Sequence, residues 1–329
     1  MVAEATPPDK ITVPPDVTEI PNGGWDARVR VFRHGPLVDT AAVVTERYVV
    51  LLDTGARPEN MEVVVEWLED VLPGRQLLVL NTHGDWDHYW GNRVFIGSAA
   101  RYPAPVLGHV LLPGRVETER ERAYLAELRA QNPGELDQVE ILSPTLTFTP
   151  PLVIDGGDLR LEIIATPGHQ PDHVAIWIPQ IRLLWAADAA EHPWPFANDP
   201  AALPDLRASL DRMLALDPQW ALYCHAPDIA SPQIIANNRA YFDALEAHCR
   251  DALSALAVGP ADAAEDTDFS GLPDKIGFPA TAALAPGADP AVLGGETWTY
   301  TRAHARNTRV MLAWLLYHQD DRAATWPAL

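Results

Sequence analysis

The chain has 329 residues, 47% of them hydrophobic and 21% charged, with 24 Lys+Arg against 45 Asp+Glu and a formal charge of −21. That length buries a sizeable core as one large domain or two small ones, and Cys224 and Cys249, the only cysteines, allow neither a disulfide framework nor a four-thiolate zinc site. With Lys10 and Lys275 as its only lysines, so acidic a chain opposes capture of polyanions, because phosphate neutralisation supplies most non-specific nucleic-acid affinity, and no nucleic-acid partner is expected.

Residues 1–24 are rich in proline and read as an extended arm. Their start, MVAEATPPDK, lacks the basic and apolar regions of a secretory signal. No window in the chain reaches the ~20 apolar residues of a membrane span, so a cytoplasmic protein with no membrane partner is expected. From Arg28 to Asp53 three short strands are predicted, RVRVFRH, DTAAVVT and YVVLLDTG, broken at Gly35-Pro36 and Glu46-Arg47. Pro58 opens a predicted helix to about Leu72, because Met61, Val64, Val65, Leu68 and Leu72 recur at helical spacing ahead of Pro73-Gly74. QLLVLNTH follows as a buried strand. The charge-rich segment 114–131 predicts a surface helix with Val116, Tyr124, Leu125 and Leu128 in one stripe, which covers part of the fold or serves a homodimer contact. Two strand pairs come next, LVID with LRLEIIAT and HVAIWI with IRLLWAAD, then a crossover helix LPDLRASLDRMLALD, a strand WALYCH and a long helix over 231–257. The main domain is therefore expected over 25–257, followed by an Ala/Pro/Gly-rich loop over 258–294. Residues 295–329 resume a helical pattern, with Tyr300, Val310, Trp314 and Leu315 as a face that docks on the main domain. Strands interleaved with helices argue for sheets covered by helices.

The chemistry concentrates in NTHGDWDHYWGN, where His83, Asp85, Asp87 and His88 directly follow an apolar strand. A loop at a strand end projects alternate residues toward one point, so His83, Asp85 and Asp87 could share a metal centre while His88 reaches a neighbouring one. TPGHQPDH, WAAD and YCHAP add His169, Asp188 and His225, each at a predicted strand end, where open α/β sheets keep their chemistry. Each alone would be an ordinary polar residue; no packing rule asks for all of them in this order. Trp86 flanks the first motif and HPWPF brings Trp194 and Phe196 just after Asp188, so these three and His173 are candidate substrate-binding residues. Pocket and core stand at even odds for Trp194, and His173, which begins a strand, is as good a candidate for a structural role.

These motifs resemble the metallo-β-lactamase superfamily, whose usual signature is H-x-H-x-D-H, over roughly residues 28–250; LLDTG with Asp53 and the Gly91-Asn92 pair also fit. The resemblance implies an α/β fold, a four-layer αβ/βα sandwich with two central mixed sheets and helices outside. It implies a dinuclear centre in which one metal takes His83, Asp85 and His169, the other takes Asp87, His88 and His225, and Asp188 bridges them. The implied chemistry is hydrolysis by a metal-bridged hydroxide, with Asp87 as the catalytic residue that orients the water and moves its proton. Asp85 departs from the pattern, because most relatives carry histidine there. Oxygen donors shift metal preference, so zinc is the first expectation and iron or manganese the alternatives; a carboxylate, being shorter than an imidazole, could also leave the first site half-built. The separation of His169 from Asp188 resembles that of hydroxyacylglutathione hydrolases, lactonases and flavodiiron proteins. The expected substrate is accordingly a small ester, lactone or thioester, preferably apolar. A phosphodiester or β-lactam is the alternative, as are a diiron redox protein and a metal-binding protein without turnover. His304 and Asn307 resemble a tail feature of some relatives and receive no catalytic role.

Overall fold

Short runs rich in valine, which favours extended backbone, make the first strands, and tight turns fold them into a meander. In the computed structural model, which describes residues 16–226, 228–255 and 297–317, these are β2 (Val29–His34), β3 (Val38–Val44) and β4 (Tyr48–Leu52), antiparallel neighbours. The chain divides into two units, one running up to Thr149 with Gly156–Leu159 added, the other Pro150–Asp155 with the chain from Arg160 onward. The first unit holds a seven-stranded mixed sheet in sequence order. Its edge strand β1 (Thr18–Ile20) pairs antiparallel with β2, so part of the predicted arm is sheet. β5 (Gln76–Leu80), β6 (Val106–His109) and β7 (Leu146–Phe148) extend it in parallel from β4. β6 and β7 escape a pattern reading because they are short and flanked by prolines, which read as loop.

Helix α1 (Pro58–Glu66) starts on a proline, whose missing N–H costs nothing there, and buries Met61, Val64 and Val65 with Phe32, Leu51 and Val79. It ends short of the predicted Leu72. Beyond Glu66 the backbone tightens into three-residue turns, Leu68 N to Val65 O and Val71 N to Leu68 O, both 3.0 Å, while Leu68 stays buried. The short α2 (Trp86–Tyr89) follows β5. The helix predicted over 114–131 is two, α3 (Leu112–Val116) and α4 (Glu119–Gln131), because Thr118 sits in extended backbone and its hydroxyl caps α4 by accepting from Glu121 N–H. Val116, Leu125 and Leu128 are buried with Ala56, Tyr89 and Trp90, and Tyr124 packs beside them, so the stripe covers part of its own unit.

The second unit holds a five-stranded mixed sheet in the order β12-β11-β10-β9-β8. β8 (Leu152–Asp155), β9 (Arg160–Ala165), β10 (Val174–Ile178) and β11 (Leu183–Trp185) are antiparallel neighbours. β12 (Trp220–Leu222) joins β11 in parallel after the crossover helix α5 (Leu203–Ala215). With α6 (Gln233–Ala255) and α7 (Thr297–Tyr317), α5 encloses a core that includes Leu206, Leu210, Phe242, Leu245, Met311 and Leu315. Val310, Trp314 and Leu315 are buried as the sequence pattern asks; the side chain of Tyr300, residues 1–15 of the arm and the 258–294 loop lie outside the described residues. Among the described residues no helix is long and apolar enough to cross a membrane.

Candidate metal centre

In both units the chemistry-bearing residues stand just past the carboxyl ends of strands: Asp53 after β4, His83 to His88 after β5, His169 after β9, Asp188 after β11 and His225 after β12.

Within the first unit, Asp53 occupies a left-handed backbone position (φ 65°), uncommon for a residue with a side chain and a mark of a constrained site. Fully buried, it accepts the Thr82 N–H and the Thr82 hydroxyl, each at 2.7 Å, and His88 Nδ1 at 3.0 Å. A carboxylate only accepts, so His88 carries its proton on Nδ1. The Thr82 hydroxyl spends its single proton on Asp53 and must therefore accept from His83 Nδ1, 3.0 Å away. With Nδ1 of each ring donating, it is Nε2 that is left to offer a lone pair, the tautomer a metal ligand needs. Their rings lie 4.1 Å apart. His83 Nε2 is 3.5 Å from Asp85 Oδ2, and His88 Nε2 is 3.8 Å from Asp87 Oδ1. Asp85 Oδ1 accepts from the Arg115 guanidinium at 3.0 Å.

Amides brace this loop from behind. Asn81 Nδ2 donates to the His88 carbonyl (3.2 Å), Asn92 Nδ2 to Asn81 Oδ1 (2.9 Å), and Thr54 N–H to the same His88 carbonyl (2.8 Å). Gly91 is required here, because a Cβ would stand 2.1 Å from the Thr54 carbonyl oxygen. Trp86, half-buried, packs on Trp90 and Tyr124, with centroids 5.2 and 6.3 Å away.

Within the second unit, Asp188 Oδ2 lies 3.3 Å from His225 Nε2 and 3.7 Å from His169 Nε2, so one carboxylate oxygen faces two imidazole nitrogens. His169 follows Gly168 (φ 137°), where a Cβ would be 2.3 Å from Leu206 Cα; only glycine lets this turn lie against α5. Asn198 Nδ2 then holds the His169 carbonyl at 3.0 Å. His173 accepts the Asp188 N–H on Nε2 (3.2 Å) and directs Nδ1–H to Thr166 Oγ1 (2.8 Å). It is buried, with Nε2 engaged by the Asp188 backbone and Nδ1 by the Thr166 hydroxyl.

Trp194, held at even odds on sequence, is core: only 5% exposed, it stacks on Tyr241 at 4.7 Å with planes 6° apart. Phe196 is half-buried against the same core. Sequence reasoning missed Glu191, which is buried 3.9 Å (Oε1) from His169 Nδ1. Burial first, then the negative charge of Asp188, push its carboxyl up to about 7. Its backbone is clamped by Asn238, which accepts the Glu191 N–H (2.9 Å) and donates to its carbonyl (2.8 Å). A second acid three residues after Asp188 in the largely apolar run AADAAEHPWPF was the available signal.

A family model described as the metallo-beta-lactamase superfamily matches residues 35–225. No curated protein matches the chain by sequence. Among solved structures, a metallo-beta-lactamase from Pontibacter korlensis is 19% identical with a TM-score of 0.51, covering 68% of this chain and 98% of its own. A metallo-beta-lactamase family protein from Thermus thermophilus is 20% identical with a TM-score of 0.54, covering 83% and 88%. A stereoselective inverting sec-alkylsulfatase from a Pseudomonas species is 16% identical with a TM-score of 0.59, covering 92% of this chain and 51% of that one, so the chain spans about half its length. At such identities these likenesses speak for the fold alone, two mixed sheets with helices. With the family match across more than half the chain, they establish that this protein belongs to the metallo-β-lactamase superfamily.

Proposed function

We propose that the protein is a metal-dependent hydrolase of small esters, lactones or thioesters, with two divalent ions, zinc in first place, held by His83, Asp85, Asp87, His88, His169, Asp188 and His225. The observation that carries the reading is the Asp53 and Thr82 network, which commits the Nδ1 protons of His83 and His88 and presents Nε2 lone pairs beside carboxylates. Neutral imidazole nitrogen and carboxylate oxygen are the donors zinc takes. That the donor sets of the two units serve one centre belongs to the proposal and rests on the family resemblance. When bound, the ions supply Lewis acidity and activate water for attack on the scissile carbonyl. Asp87 is the residue proposed to orient that water and take its proton. The substrate is proposed to be a small molecule, a reading supported by the formal charge of −21, which opposes nucleic acid. With Trp194 in the core, the preference for an apolar ester loses its main support, and the substrate class rests on the resemblance in the His169 to Asp188 spacing.

The test is elemental analysis of the purified protein together with a panel of chromogenic esters, lactones, thioesters, phosphodiesters, sulfate esters and a β-lactam. Carbonyl hydrolysis that disappears in both His83→Ala and His169→Ala supports the reading. Iron with a visible spectrum and no hydrolysis would make it a redox protein, and metal retained with no turnover on any substrate a binding protein.

A further inference from the structure

The departure at Asp85 has a partner in space. Asp85 divides its two oxygens: Oδ1 accepts from Arg115, and Oδ2 faces His83 Nε2 at 3.5 Å. Arg115 stands on α3 between Leu112 and Val116, both fully buried, and its carbonyl accepts the hydroxyl of Thr118, the residue that caps α4. The guanidinium thus projects from a packed element.

Electrostatics gives the arrangement meaning. Relative to the usual signature, a carboxylate at position 85 adds one negative charge to the ligand set. An ion-paired Asp85 and Arg115 are together neutral, as an imidazole is. The pairing fixes the carboxylate through Oδ1 and so turns Oδ2 toward His83, the side on which the ligand set lies.

We infer that Arg115 is a positioning residue for the metal centre: it anchors Oδ1 of Asp85, aims Oδ2 at the ion, and cancels the charge that the aspartate adds. Asp85 and Arg115 act as one unit in place of the missing histidine. The inference rests on the proposed reading that His83 and Asp85 face a divalent ion. It differs from an ordinary surface ion pair, which contributes little and couples to nothing else.

Zinc and cobalt affinities, from competition with a chromophoric chelator, and stoichiometry by elemental analysis separate the two. They are measured on the full chain and on Arg115→Met, Arg115→Lys, Asp85→His and the double variant Asp85→His with Arg115→Met. The Arg115 side chain is 24% exposed, so the variants should fold, and circular dichroism checks that they do. Arg115→Met should weaken one ion by ~10- to 100-fold, the usual effect of losing a partner that orients a ligand, and Arg115→Lys by less. In the Asp85→His background the same change should leave affinity unchanged or raise it, because a guanidinium with no carboxylate to anchor only repels the ion. An equal effect of Arg115→Met in both backgrounds, or no effect in either, overturns the inference while leaving the centre intact. A native protein that retains no metal removes the centre itself and the inference with it.

Discussion

Asp53 shows how much one side chain can organise: from a strained backbone position it fixes the tautomers of two imidazoles through Thr82 and directly. Asn tolerates the same left-handed conformation, so Asp53→Asn keeps the backbone and changes only the chemistry. An amide offers one accepting oxygen where the site needs several acceptors. Metal affinity should therefore fall ~10- to 100-fold, with thermal stability of the metal-free protein less affected, as chelator competition and a melting curve would read. His34 gives a residue-scale prediction away from the ligands. It is buried between Thr40 Oγ1 (2.9 Å) and Asn60 Nδ2 (3.4 Å), and burial pushes its pKa down from 6.5 to about 4. The unfolded chain then binds the proton more readily, so stability is fully present above 6.5 and is lost as pH falls toward 4, by about 3 kcal/mol. The urea midpoints of the native protein and His34→Gln should converge over that window; parallel curves would show that His34 does not drive the loss. The seven candidate ligands were readable because their chemical type and strand-end position are both written locally. Glu191 and Arg115 were not, since what each faces depends on chain folded up from elsewhere.

At the scale of elements, the Pro193–Asn198 stretch is held from the C-terminal helix. Asn307 on α7 accepts the Ala197 N–H (2.7 Å) and donates to the Pro195 carbonyl (2.9 Å), while Tyr241 on α6 meets His304 Nδ1 at 3.0 Å. The tail histidine and asparagine thereby brace the loop that seats Trp194 on Tyr241. Trp194→Ala should then behave as a core truncation, destabilising by about 3–5 kcal/mol, with no selective rise in KM for bulky substrates. Denaturant midpoints and a substrate size series measure both. The strands with strong β-branched patterns, β2 to β5 and β8 to β11, were legible, as were α5, α6 and α7. The break between α3 and α4 was written in Thr118 and Glu121, a capping pair, yet the apolar stripe runs through it and masks the cap. Moreover Glu121 spends its carboxylate on the Tyr89 hydroxyl (2.8 Å) and Trp90 Nε1 (3.2 Å), partners that no local pattern announces.

For the whole molecule, a charge of −21 means self-repulsion on top of many exposed ion pairs, each worth little. Screening the net repulsion should outweigh screening the pairs, so the melting temperature should rise between low and physiological ionic strength; a fall would mean that the surface pairs matter more than the net charge. The division into units was less legible than the strands, because a composition reading sees one continuous domain over 25–257. Its cause is the turn between β8 and β9. Gly156–Leu159 belongs to the first unit, where Asp158 accepts from Arg28 (2.8 Å) and from the Glu46 N–H (2.8 Å), whereas the strands on either side of that turn belong to the second. The bond from Arg28 to Asp158 spans 130 positions of sequence. During synthesis on the ribosome the first unit must wait for those four residues to emerge before its last acceptors arrive. No single cut in the polypeptide yields both units whole: a gene fragment ending at Thr149 would encode the seven-stranded sheet without its clasp.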